Sequence, residues 1–223
     1  MRASVWISAR ALTLAALLGP GLLGQAPAIT LKAIPFPCAW VNPPKEFKEI
    51  SGNALSILAA NGTDLYNDCG GASKIASAPM LLFEPDPQFV LTAAVSVDFK
   101  HEFDGGFLVI YEGENHWGKL LFEKSHGGPL SVCSAVTSTF SDDTVNTQVS
   151  VKKVWLRIAR TEDKVVFYLS QDGKRWNYIR YFHFQGKAKV GFASQSPDGR
   201  QCNAVFTQIS YSPTAPKDFW TGE

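Results

Sequence analysis

Trp117, Lys119 and Glu123 fall at alternate positions of the segment Trp117-Gly118-Lys119-Leu120-Leu121-Phe122-Glu123. In an extended strand that spacing puts an indole, an ammonium and a carboxylate on one face, with Leu120 and Phe122 on the other. An indole can stack on the C–H face of a sugar while the two charges hydrogen-bond its hydroxyls. The same set on a solvated face is an ordinary Lys–Glu pair. Spacing alone leaves both readings open.

Other chemistries find less support. Glycoside hydrolysis needs two carboxyl groups about 5–10 Å apart across the scissile bond. No strand carries a Glu-x-Asp-x-x-Glu run, and Glu112 and Glu114 flank Gly113 in a turn. Asp104 with Glu123 remains as a cross-strand pair. Ser170-Gln171-Asp172-Gly173-Lys174-Arg175-Trp176 is one residue short of the Asp-box of sialidases, a structural turn. No serine occupies a Gly-x-Ser-x-Gly elbow. The four histidines are scattered and no Cys-x-x-Cys occurs, so neither a zinc site nor any other cofactor is expected. Asp86 and the Asp142-Asp143 pair read as turn formers before they read as calcium ligands.

The elements that must position these residues are strands. Lys164–Phe184 reads as a hairpin, two aromatic and β-branched runs about the turn signal Asp172-Gly173. Its first arm alternates, with Val166 and Tyr168 on one face and Val165, Phe167 and Leu169 on the other. Residues 88–99, 107–112, 117–123, 130–137, 144–151, 154–159, 188–193 and 204–211 give further strands, preceded by two over 47–50 and 54–58. No amphipathic helix intervenes, which predicts an antiparallel sandwich or barrel. Residues 61–79 read as loop and carry one sequon, Asn61-Gly62-Thr63. Residues 213–223 read as a polar tail with an exposed Phe219-Trp220.

At 223 residues the chain can bury one sizeable core. Its 21 Lys and Arg against 20 Asp and Glu, interspersed, give no case for nucleic acid or an anionic membrane. Residues 1–28 read as a secretory signal peptide: Arg2 and Arg10, an apolar run from Ala11 to Leu23, then Ala26-Pro27-Ala28. The mature domain, 29–212, is then expected outside the cytoplasm, with no membrane contact after cleavage. Its oligomeric state is open.

Export makes Cys38, Cys69, Cys133 and Cys202 an even set in an oxidising compartment, and two disulfides are expected. Four cysteines allow three connectivities. Pairing of terminal strands favours Cys38 with Cys202, leaving Cys69 with Cys133.

The ordered pieces Trp40-x-Asn42-Pro43-Pro44, Thr63-Asp64-Leu65-Tyr66, Asp104-x-Gly106, Trp117-x-Lys119 with Glu123, Ser141-Asp142, Leu156-Arg157-Ile158, Ser170-x-Asp172-Gly173-x-x-Trp176 and Val190-Gly191-Phe192 carry a resemblance. From Trp40 to Tyr211 the chain resembles a family of unknown function similar to the regulation-of-enolase protein, within the concanavalin A-like lectin/glucanase superfamily. The resemblance implies an all-β, two-sheet antiparallel jelly-roll sandwich with one concave face. It also implies that Asp64, Tyr66, Asp104 and Arg180 line the same cleft as Trp117, Lys119 and Glu123. The expected function is non-catalytic carbohydrate binding there. A glycoside hydrolase or lyase of the same fold, and a structural or protein-partner domain, are the alternatives.

Overall fold

A computed structural model describes residues 29–223, and the expected signal peptide, 1–28, lies outside the described residues. Strands are numbered in chain order. One antiparallel sheet runs β1 (Ala39–Val41), β6 (Met80–Phe83), β15 (Lys189–Gln195), β8 (Gly105–Gly113), β9 (His116–Lys124), β10 (Leu130–Ser138) and β11 (Phe140–Gln148). The second runs β14 (Asn177–His183), β13 (Lys164–Ser170), β12 (Lys153–Thr161), β7 (Phe89–Val97), β16 (Gln201–Ser212), β3 (Ala54–Ala60) and β2 (Glu46–Ser51). No helix occurs among the described residues. The protein is an all-β, two-sheet sandwich.

Alternation decides which face each strand buries. Leu91, Ala93 and Val95 of β7, Leu156 and Ile158 of β12, and Val165, Phe167 and Leu169 of β13 turn inward from the second sheet. Leu108 and Ile110 of β8, Leu120 and Phe122 of β9, and Val190 and Phe192 of β15 meet them from the first. Burying each of the larger of these side chains is worth about 1.5–3 kcal/mol. Phe122 packs edge-on against Phe99 at 5.0 Å between ring centroids.

A third layer departs from the sequence reading. Residues 61–79 hold a hairpin, β4 (Leu65–Asn67) with β5 (Lys74–Ala76), rather than a plain loop. It covers part of the outer face of the first sheet, where Leu65 and Ala78 join Phe107, Val109, Trp117, Leu121 and Ala135 in a second apolar cluster. Asn67 fastens the roof, its amide donating to the Glu114 and Thr139 carbonyls at 3.0 and 2.9 Å.

Other expectations are also corrected. The β13–β14 hairpin closes through six residues, 171–176, rather than through a two-residue turn. Ser170 and Asp172 organise it by accepting backbone N–H bonds, and Gly173 takes φ 73°, where a Cβ would press on the Trp155 ring at 2.9 Å. The 213–223 segment folds back on the second sheet, with Tyr168 donating to the Phe219 carbonyl at 2.7 Å. Phe219 packs there, while Trp220 alone of that pair is exposed.

All four cysteines are free thiols, against the two bridges expected. Three are buried and turned to oxygen acceptors. Cys38 faces the Phe36 carbonyl, Cys133 the Glu123 carboxylate and Cys202 the Gly105 carbonyl. Burial pushes the Cys38 thiol up to about 11 and the Cys202 thiol to about 12, so thiolate is scarce there. Cys69 is exposed. One thiol should therefore react quickly with a thiol-specific reagent in the native protein, and four after denaturation without reductant. Two or fewer in the denatured chain would mean that bridges form.

Candidate functional site

Where the β4–β5 roof ends, the outer face of the first sheet opens into a cavity of about 370 Å³. Ligand sites begin at about this size. Lys119, Leu121 and Glu123 of β9 form its floor with Cys133 of β10. Asp64 and Tyr66 come from the edge of the roof, and Gln195 from the end of β15. Phe103, Ser125 and His126 stand on one side, and Asp143, Thr144 and Val145 of β11 on the other.

Lys119 is 4% exposed. Its ammonium donates to Gln195 Oε1 at 3.2 Å and reaches Asp64 Oδ1 at 3.5 Å. It also lies 5.7 Å from the Phe107 ring centroid and 5.9 Å from that of Trp117, within cation–π range. Gln195 is itself oriented, since its amide donates to the Phe103 carbonyl at 3.1 Å.

Glu123 is 7% exposed, and its Oε1 accepts from Ser125 Oγ at 3.0 Å and from the Cys133 thiol at 3.2 Å. Burial raises its carboxyl above the usual range, which Lys119 and the two hydrogen bonds only partly offset. Burial and the Glu123 carboxylate together push the Cys133 thiol up.

Of the seven residues expected at the site, the structure brings Asp64, Tyr66, Lys119 and Glu123 to the cavity. The other three stand elsewhere. Trp117 shares their strand face but is 0% exposed, sealed beneath the hairpin roof, with Nε1 donating to the Glu114 carbonyl at 3.2 Å. It is a core residue rather than a stacking platform.

Asp104 is also fully buried, its Oδ2 accepting from the backbone N–H of Lys100 and His101 at 3.0 and 2.9 Å and its Oδ1 from Ser196 Oγ at 2.7 Å. Those bonds consume its carboxylate, so it is no partner for Glu123 in acid–base work. Its role is to hold the loop that presents Phe103, whose φ of 61° is a strained backbone at the cavity wall. Arg180 pairs with Asp142 and clasps β14 to β11 beside the cavity.

Sequence reasoning missed Gln195, Phe103 and His126, and it took Asp143 for a turn former where it lies in β11 on the cavity wall. Gln195 lies two residues past the strand expected over 188–193, and Phe103 sits one residue before Asp104. His126 stacks on Phe103 with an interplanar angle of 9°, and its Nδ1 lies 3.0 Å from Glu102 Oε2. Among the described residues no group of three or more His, Cys, Asp or Glu could hold a metal ion.

Residues 40–214 match the family described as protein of unknown function (DUF1349). The chain belongs to that family. No curated protein matches its sequence. Among solved structures, a functionally unknown protein from Saccharomyces cerevisiae is similar at TM-score 0.71 and 19% identity, over 78% of this chain and 95% of that one. The GH43 protein BlXynB from Bacillus licheniformis, in its K247S mutant, is similar at TM-score 0.57 and 17% identity, over 71% of this chain but 32% of that one. The alginate lyase from Klebsiella pneumoniae gives TM-score 0.55 and 12% identity, over 83% and 98%. At such identities the likeness is one of fold. This chain spans about a third of the GH43 protein.

Two outcomes follow from the burial of Trp117 and Glu123. Trp117→Ala should cost about 3–5 kcal/mol of stability, as Phe122→Ala should, because both open a cavity in a packed cluster; denaturant unfolding of the two variants checks this. Glu123→Gln should keep the bonds from Ser125 and Cys133 while removing a buried charge. The raised carboxyl makes the folded state hold its proton longer than the unfolded chain, so wild-type stability falls as pH rises above about 4.5. The melting temperature of Glu123→Gln should exceed wild type at neutral pH and converge with it below that value.

Proposed function

We propose that the protein is an exported carbohydrate-binding protein that takes a glycan into the cavity over β9 without cleaving it. The observation that carries this reading is the floor: a buried ammonium and a buried carboxylate, held by separate partners and both facing one open cavity. Burying two charged groups is costly, and the hydrogen bonds of each go to other residues rather than to each other. Fixed donors and acceptors below aromatic walls at Tyr66 and Phe103 suit a ring that is polar at its rim and apolar on its faces. Support of a weaker kind comes from structural neighbours, one named as a xylan β-1,4-xylosidase and one as an alginate lyase. Export rests on the leader-like residues 1–28. Three buried thiols with little thiolate would survive such a compartment unoxidised.

A glycan array on the mature chain, followed by calorimetry on the best hit, tests the reading. Tyr66→Ala and Lys119→Met should each weaken binding by about tenfold or more, the scale of losing a stacking face or a charged hydrogen bond. Glycan binding indifferent to both variants would remove the cavity from the account.

One observation favours a second reading, a hydrolase or lyase at the same cavity. Glu123 keeps its proton to higher pH than an ordinary glutamate, as a general acid must, and Asp143 stands on the cavity wall. Release of sugar ends from xylan or alginate, lost in Glu123→Gln and falling as pH rises through the Glu123 titration, would establish it.

A further inference from the structure

The outer face of the second sheet, opposite the cavity, carries a band of aromatic rings that the cavity does not use. Trp155 on β12 lies beneath the 171–176 turn, and the Arg157 guanidinium stacks on the Trp176 ring at 3.7 Å. Tyr178 meets Tyr168 on one side at 6.4 Å and Trp220 on the other at 5.2 Å between centroids. Trp220 is 75% exposed, yet its segment is tied down. Its N–H donates to Asp218 Oδ1 at 2.8 Å, Gly222 N–H to the Asp218 carbonyl at 2.8 Å, and Arg157 to the Gly222 carbonyl at 2.6 Å. An exposed indole held by so many bonds is presented rather than left over.

The cations beside the band are free of ion pairs. Lys153 lies 4.9 Å above the Trp155 ring, and Lys174 and Arg175 project from the turn. None of the three forms an ion pair among the described residues. The carboxylates of Asp172 and Asp218 stay charged nearby but are turned to backbone, Asp172 accepting from the N–H groups of Lys174 and Arg175 at 2.8 and 2.9 Å and Asp218 from that of Trp220. Trp155, Trp176 and Tyr178 are half-buried, Trp155 beneath the turn and Trp176 against Arg157, so they form a base from which Trp220 alone projects.

We propose that this face is a second binding surface, for an acidic polysaccharide. A sugar ring stacks on Trp220 at the edge of the aromatic band while carboxylate or sulfate groups of the chain meet Lys153, Lys174 and Arg175. A polymer rather than a lipid surface is favoured because only Trp220 projects. The surface is separate from the cavity and stands without it.

Affinity electrophoresis of the mature chain through gels containing polygalacturonate, alginate or neutral xylan tests this. Retardation is expected in the two acidic gels alone, and raised salt should diminish it. Lys174→Glu with Arg175→Glu should abolish it, and Trp220→Ala should weaken it by on the order of tenfold. Lys187→Glu with Lys189→Glu, an equal change of charge elsewhere, should leave it intact. Circular dichroism of each variant secures the fold. Equal retardation in neutral xylan, an equal loss from the Lys187 and Lys189 changes, or binding to phosphatidylglycerol vesicles without retardation in the acidic gels would overturn the proposal.

Discussion

The site is organised by the burial of one ammonium. A lysine head group removed from water needs acceptors and tolerant neighbours, and the chain supplies them from four separate elements. Gln195 comes from β15, Asp64 from the entry to the roof, Phe107 from β8 and Trp117 from the same strand two residues earlier. Each is fixed in turn. Gln195 hangs from the Phe103 carbonyl, and Phe103 stands on a loop that Asp104 ties at three points. The charge therefore determines where the walls of the cavity stand as well as what its floor offers.

The two outer faces differ in how their charges are held. Asp64, Glu123 and Asp143 line the cavity on the first sheet, where the one lysine is already engaged. The second sheet carries Lys153, Lys174 and Arg175, which form no ion pair among the described residues, beside Asp172 and Asp218 held by backbone N–H groups. A sandwich can keep the two faces apart because its core, built from inward positions of both sheets, separates them. Alternation along each strand lets one segment serve core and surface at once, as Val165, Phe167 and Leu169 do against Val166 and Tyr168.

Much of this was legible in the sequence where period-two patterning carried it. The strands at 88–99, 117–123, 130–137 and 164–170, and the inward turn of Leu120 and Phe122, follow from alternation alone. What patterning cannot show is which segment covers a sheet's outer face. Residues 61–79 are rich in Gly, Asn, Asp and Ser, residues with weak strand propensity, so their hairpin was invisible and Trp117 looked exposed. Asp104 had the right neighbourhood and the wrong role, because its partners are backbone N–H groups that any sequence possesses. The cysteines misled for another reason. Their even number was read through a compartment, whereas the fold places three in separate buried settings, each beside its own oxygen acceptor.

The far wall of the cavity shows how an edge strand can serve a site. β11 ends its sheet, and an unpaired edge tends to drift or recruit another chain. Two features hold it. The β10–β11 register shifts between Val132 and Cys133, which re-aims the strand where Cys133 meets the floor. Arg180 then reaches from β14, the edge of the other sheet, and takes Asp142 by both its carboxylate and its carbonyl. Asp143, the next residue, lines the cavity as a consequence. Arg180, expected inside the cleft, thus acts on it from the seam between the sheets, by fixing the strand that forms its wall.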